Sequence, residues 1–325
     1  MRAGITEAHF PFLSTKRPVA VDKTVTLSIN GSHQRVRLCA ARAGLPPLLV
    51  VQVGPGFPML HEVAKFQRLL NLEHDFLVAY WEQRGCGNVP SHDAERASLQ
   101  QQVEDLQAVL EWLHDETRQR VLLFGISLGA TIALLAAARE PDRLRAVVAI
   151  SPDAHTPASD TAADAFIQEQ LGRAENARLR RAAATLGPPP YLHPQALRRR
   201  ARILADFGAI EHGKTFNASL RETLFAMIRT YGVLGTLRGL RNMNVVQRAM
   251  LPELSSLDLI GRPPRIAVPV HFVFGEQDAL TPAFIAEGLP AAIGASGTTI
   301  AHVAAAGHMV HFDQPAIVRS IVERV

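Results

Sequence analysis

Val121-Leu-Leu-Phe-Gly125-Ile-Ser127-Leu-Gly129-Ala130 decides the fold of this chain. An apolar, β-competent run breaks into Gly-x-Ser-x-Gly and continues at once as Ala130-Thr-Ile-Ala-Leu-Leu-Ala-Ala-Ala-Arg-Glu140, a helix-forming stretch that stops before Pro141. A serine placed there sits on a sharp strand-to-helix turn. The turn lifts its hydroxyl off the top of a parallel sheet and aims the next backbone N–H groups at an incoming carbonyl. Both glycines are needed, because a Cβ at Gly125 or Gly129 would collide with the neighbouring strand or helix. The five-residue pattern alone recurs by chance at ordinary Gly and Ser usage, so the flanks carry the assignment.

Working outward, Val25–Ile29 and Arg35–Ala40 alternate in polarity around Asn30-Gly31-Ser32, which predicts a β-hairpin at the start of the fold. Leu48–Val53, apolar except for Gln52, and Phe76–Trp81, unbroken, are apolar runs, each followed by a glycine-containing loop. Leu99–His114 has helical spacing, with Val103, Leu106, Leu110 and Leu113 on one face. Arg145–Ile150, Val270–Phe274 and Thr298–Val303 continue the strand series. Strands alternating with helices imply an α/β fold with a mostly parallel, eight-stranded sheet covered on both faces.

Between Ser151 and about Gly261 the strand rhythm disappears. Helical segments such as Asp164–Ala184 and Ser219–Gly232 are separated by Gly187-Pro-Pro-Pro190 and His212-Gly213-Lys214. Because the sheet pattern resumes at Ile266–Phe274, this stretch reads as a helical cap (153–261) inserted into one core (1–152 and 262–325), over the carboxyl edge where open sheets bind ligands.

Composition excludes several classes. The chain has 325 residues, 47% hydrophobic and 20% charged, with only Cys39 and Cys86, too few for a disulfide framework or a zinc site. No apolar stretch is long enough to cross a bilayer, and Met1–Leu13 lacks the charged start and apolar core of a leader, so a cytoplasmic protein with no membrane partner is expected. The net charge of +4 is uneven: residues 155–260 hold thirteen Arg and one Lys against nine Asp and Glu, a local +5. Arg178-Leu-Arg-Arg181 and Arg198-Arg-Arg200 read as solvated helix faces, and no aromatic interleaving accompanies them, so nucleic acid is not an expected partner.

A serine hydroxyl needs a histidine to take its proton and a carboxylate to hold that histidine in the right tautomer. Phe272-Val-Phe-Gly-Glu-Gln-Asp278-Ala-Leu-Thr-Pro282 is a strand ending in a loop that carries an acid, and Ala306-Gly-His308-Met309 follows the last strand. Rival groups are His302, inside an alternating strand, His311, at the start of a helix, and Asp153 and Glu276, each just past a strand.

With these residues the chain resembles the α/β-hydrolase family, and within it the proline iminopeptidase-like branch of serine peptidases. Gly54-Pro55-Gly56 resembles the end of that branch's His-Gly-Gly-Pro-Gly loop, and Trp81-Glu-Gln-Arg-Gly-Cys-Gly87 its Asp-Gln-Arg-Gly-x-Gly segment. The resemblance implies Ser127 as nucleophile, Asp278 as orienting acid and His308 as general base, with the backbone N–H groups of Gly54 and Leu128 as oxyanion hole. It implies no cofactor and no metal, and a small-molecule or short-peptide substrate. It covers the core and leaves the cap unmatched. The chain departs from the pattern at Gln52-Val53, which replace His-Gly, at Glu82, which replaces Asp, and at Leu128, where an aromatic residue commonly follows the nucleophile.

An iminopeptidase recognises a free ammonium through acids of its cap, for which Glu169, Glu175, Glu211 and Glu222 are available. A cap whose Phe225, Met227 and Met243 line an apolar pocket fits a carboxylesterase or lactonase instead. A third class, a non-catalytic binder that kept the fold, is possible because fold alone does not fix function.

Overall fold

The computed structural model describes residues 6–7, 21–173 and 177–325. Most of Met1–Leu13, and residues 174–176, which include Glu175, lie outside them.

The strands are β1 (Thr6–Glu7), β2 (Val21–Ile29), β3 (Ser32–Ala40), β4 (Pro47–Val51), β5 (Leu77–Glu82), β6 (Val121–Ile126), β7 (Leu144–Ile150), β8 (Val270–Gly275) and β9 (Thr299–Val303). They form one sheet in the order β1-β2-β3-β5-β4-β6-β7-β8-β9. The eight strands from β2 onward are those the alternating hairpin and the apolar runs predict, and the two-residue β1 adds an edge pairing. β2 and β3 form the predicted hairpin, with Asn30 and Gly31 both at positive φ. From β5 to β9 every pairing is parallel.

The central strands are buried along their length because helices cover both faces. On one face the helix Leu99–Thr117 seats Val103, Leu106, Leu110 and Leu113 against the sheet, and Ser98 caps its start by accepting from the Gln101 N–H at 3.0 Å. On the other, Phe66 and the C-terminal helix Pro315–Glu323 close a second apolar layer. Neither face of the central strands β4, β6 and β7 is solvated, so their register is fixed from both sides.

Between β7 and β8 lie the helices Thr156–Arg173, Ala177–Ala184 and Pro194–Asp206, and a long helix Phe216–Leu254. Gly232 bends the long helix (φ 70°, ψ 175°), so the predicted helix ending at Gly232 runs on past a bend instead of stopping there. The insertion leaves and rejoins the core side by side: Thr156 N–H donates to Leu257 O (3.1 Å), and Leu259 N–H to Ala154 O (2.8 Å). Among the described residues no helix is long and apolar enough to cross a membrane.

Candidate active site

The segments read as functional all follow the carboxyl ends of parallel strands: Gly54 after β4, Ser127 after β6, Asp278 after β8 and His308 after β9. Sheet order, rather than chain order, gathers them on one edge.

Ser127 holds φ 55° and ψ −126°, a conformation L-residues rarely adopt, and its N–H donates to Ile150 O at 2.8 Å. The glycine requirement is met by backbone. A Cβ on Gly129 would lie 2.2 Å from Val51 O and 2.3 Å from Gln52 O, and one on Gly125 would lie 2.6 Å from Ala130 Cα. The turn is therefore wedged between the β4 loop and its own helix.

His308 and Asp278 meet: Nδ1 lies 2.8 Å from Asp278 Oδ2, and both residues are buried. The carboxylate is further fixed by the N–H groups of Leu280 (2.8 Å) and Thr281 (3.0 Å), both to Oδ1. Thr281 completes the cluster. Its Oγ1 is 3.0 Å from Asp278 Oδ2, 3.1 Å from His308 Nδ1 and 3.1 Å from Ser151 O. The imidazole is thus locked with Nδ1 toward acceptors, while the buried Nε2 has no hydrogen-bond partner.

The rival groups stand elsewhere. His302 is an exposed strand residue stacked on Phe274. His311 is buried among Phe66, Phe124 and Phe312, and its pKa is held well below the usual histidine range by burial, then by Lys65 and His308. Asp153 Oδ2 accepts from Thr156 Oγ1 (2.7 Å), but Oδ1 is buried without a partner, and burial raises the carboxyl's pKa. Glu276 is exposed.

The departures in the Gly54 loop have a structural answer. Gln52 Nε2 donates to Phe57 O, tying the two ends of Gly54-Pro-Gly56 together, and lies 3.2 Å from Cys86 Sγ. Gly54 packs directly on Leu128: a Cβ there would lie 3.0 Å from Leu128 Cδ2. No main-chain acceptor takes the N–H of either residue among the described residues. Burial pushes the Cys86 thiol up, which suits a packing residue rather than a reactive one.

Glu82 uses its longer arm to join three elements: Arg35 of β3 and Tyr231 of the insertion both donate to it, and Leu60 N–H lies at 3.4 Å. Gly87 makes room for it, since a Cβ there would lie 2.5 Å from the carboxylate. Arg84 is structural, bonded through Nε (2.7 Å) and an Nη (2.9 Å) to buried Asp105.

The insertion also positions His308. Its N–H donates to Ala209 O (2.9 Å) and that of Met309 to Ile210 O (2.8 Å), while Gly307 lies so close that a Cβ would sit 2.8 Å from Ala209 O. No motif announced this contact; only the return of the chain over the sheet edge creates it.

The acids available in the insertion are largely engaged. Glu211 lies between Lys65 (3.2 Å) and Lys214 (2.7 Å), Glu222 is 2.8 Å from Lys214, and Glu169 is 2.7 Å from Arg173. Two other expectations are corrected. Phe225 is 70% exposed, whereas Met227 is buried and the backbone of Met243 packs on Gly56. Arg200 is no solvated face but a buried ion pair with Asp160, adjacent to Tyr191. A cavity of about 420 Å³ lies within the insertion, lined by Leu192, His193, Pro194, Gln195, Arg198, Asn244 and Arg248, and none of the residues read as catalytic borders it. Among the described residues no group of three or more His, Cys, Asp or Glu is placed to hold a metal ion.

Comparison with known proteins gives a consistent picture. A family model described as alpha/beta hydrolase fold matches residues 46–315. A protein named probable aminopeptidase YbaC, from Bacillus subtilis strain 168, is 24% identical over 315 residues, covering 95% of this chain and 97% of that protein. Among solved structures, VinJ has a TM-score of 0.65 at 17% identity, covering 94% of this chain and 98% of its own. Proline iminopeptidase of Mycobacterium smegmatis has a TM-score of 0.64 at 22% identity, covering 93% and 96%. At these identities the two structures report a shared fold.

Proposed function

The chain belongs to the alpha/beta hydrolase fold family, and from that premise we propose that it is a serine hydrolase, proline iminopeptidase-like, that cleaves an ester or amide bond through an acyl-enzyme on Ser127. The observation that carries the reading is the buried Asp278–His308 pair with Nε2 left open, on the same sheet edge as a serine in a strained strand-to-helix turn.

The chemistry follows from those atoms. Ser127 Oγ attacks the substrate carbonyl as its proton passes to His308 Nε2, and Asp278 stabilises the imidazolium through Nδ1. The N–H groups of Leu128 and Gly54 take the oxyanion, a contribution on the order of several kcal/mol for two preset donors. Collapse expels the amine or alcohol with the proton from Nε2, and water activated by His308 then hydrolyses the acyl-enzyme. No metal or organic cofactor takes part. In this reading the insertion 153–261 is a cap that bounds the substrate site and holds the His308 loop through Ala209 and Ile210.

The probable aminopeptidase relative supports a substrate with a free amine. A second reading, an esterase or lactonase of small apolar compounds, is favoured by the ion-paired state of Glu169, Glu211 and Glu222, the candidate acids of the insertion that lie among the described residues. A paired assay separates them. The first reading expects cleavage of a prolyl or alanyl arylamide that stops when the amine is acetylated, and equal rates on free and blocked substrates assign the second. Ser127→Ala is expected to abolish both activities and labelling by a fluorophosphonate probe while leaving folding intact; an unlabelled wild-type serine would make the protein a ligand binder.

A further inference from the structure

The insertion carries an apolar surface that no part of the described fold covers. Leu224, Phe225 and Ile228 ahead of the Gly232 bend, and Val233, Leu234 and Leu237 beyond it, stand in solvent, Leu234 at 81% exposure. Helical spacing turns them away from the side that is buried, on which Met227, Gly235, Gly239 and Val246 lie. Exposed Arg221, Arg229, Arg238 and Arg241 are interleaved with them. Glu222 is the sole carboxylate between positions 216 and 248, and Lys214 (2.8 Å) and Arg68 (3.9 Å) already compensate it. The face is therefore apolar and cationic at once.

Six large apolar side chains exposed on one stretch of helix mark an interaction site, and the charge among them selects the occupant. A second copy meeting the same face about a two-fold axis would set arginine against arginine. An anionic bilayer surface satisfies both components: apolar side chains enter the boundary between headgroups and acyl chains, while guanidinium groups bind phosphate. We propose that the bent helical face around Gly232 attaches the protein to anionic lipid surfaces. Attachment is peripheral, consistent with the lack of a membrane-crossing helix among the described residues. Spanning and leader segments, on which the expectation of no membrane partner rests, are local in sequence, whereas this surface exists only once the two helical segments meet at the bend. The same helix packs Val246 and Met243 on Gly56 of the candidate oxyanion loop, so attachment would bring the lipid surface near the site without using a catalytic group.

The test is co-sedimentation of the full chain with vesicles of phosphatidylcholine, alone or mixed with phosphatidylglycerol. Binding to the mixed vesicles is expected, weakening as salt rises, with little binding to phosphatidylcholine alone. Each arginine near the surface is worth about fivefold in affinity, so Arg229→Gln with Arg241→Gln is expected to weaken binding about thirtyfold. Leu234→Asp with Leu237→Asp is expected to abolish it, and hydrolysis of a water-soluble ester should stay at the wild-type rate in both double variants. Failure of the wild-type protein to bind mixed vesicles at low salt overturns the proposal. So does equal binding to both kinds of vesicle, or a wild-type dimer that the double leucine variant splits, which would make a second copy the occupant.

Discussion

Thr281→Val isolates the part of the site that the tertiary structure alone supplies. The substitution keeps the shape of the side chain and removes a hydroxyl that lies within 3.1 Å of Ser151 O, Asp278 Oδ2 and His308 Nδ1. A hydroxyl has one proton and two lone pairs, so Thr281 donates to one of the two oxygens while accepting from His308 Nδ1–H, whose principal acceptor is Asp278 at 2.8 Å. Losing a buried hydrogen bond to a charged group costs about 1.5–3 kcal/mol. If that bond orients His308 in the transition state, kcat/KM falls about ten- to a hundredfold, since 1.4 kcal/mol is a factor of ten. The loss should appear in kcat with KM little changed, because Thr281 acts through the imidazole rather than on the bound ester. The assay is steady-state hydrolysis of p-nitrophenyl acetate beside urea denaturation, which reads the stability share of the loss separately. Thr281→Ser restores the hydroxyl and should recover most of the rate. A Val variant within roughly twofold of wild type, far less than one such bond supplies, refutes the reasoning. So does a Ser variant as slow as the Val one.

Further tests address other parts of the site. Gly129→Ala drives a Cβ into the Val51 and Gln52 carbonyls, so it should cost at least about 1–3 kcal/mol in the urea midpoint and lower activity more than stability, by displacing the Leu128 N–H. His308→Ala is expected to lower kcat by about 10³-fold or more, and His311→Ala far less, because only His308 reaches Asp278; the opposite ranking would reassign the base. His311 also gives stability a pH dependence. Its unfolded pKa is about 6.5 while the folded value is far lower, so as pH falls below 6.5 only the unfolded chain gains the proton and stability drops by up to about 1.4 kcal/mol per pH unit. Urea midpoints compared at pH 7.5 and 5.5 should show that drop in the wild type and a smaller one in His311→Phe; an equal drop in both removes His311 as its source.

Some of this protein is written locally and some is not. The central strands were legible because strands buried on both faces are continuous apolar runs, the β2–β3 hairpin because its polarity alternates around Asn30-Gly31, and the turn at Ser127 because Gly125 and Gly129 are forced by backbone atoms a few residues away or on the adjacent strand. The bend at Gly232 was not legible as a continuation: a glycine at positive φ ends most helices, and here the chain resumes its helix because the far segment packs on the loops at Gly56 and Gly85. The candidates Glu169, Glu211 and Glu222 looked available because an ion pair with Lys65, Lys214 or Arg173 depends on where helices lie, which in the case of Lys65 means a partner 146 positions away.

By itself the sequence determined the element order, the parallel sheet and the residues that follow the ends of β4, β6, β8 and β9, since each depends on periodicity, chain stiffness and short-range sterics. The tertiary structure brings Asp278, rather than Asp153, to His308, as the resemblance implied, and it alone shows that Thr281 and Ser151 lock the pair and that Ala209 and Ile210 hold the histidine loop from the insertion. Those decisions rest on hydrogen bonds between segments far apart in the chain. Such bonds are directional to within a few tenths of an ångström, and no local pattern fixes positions that finely.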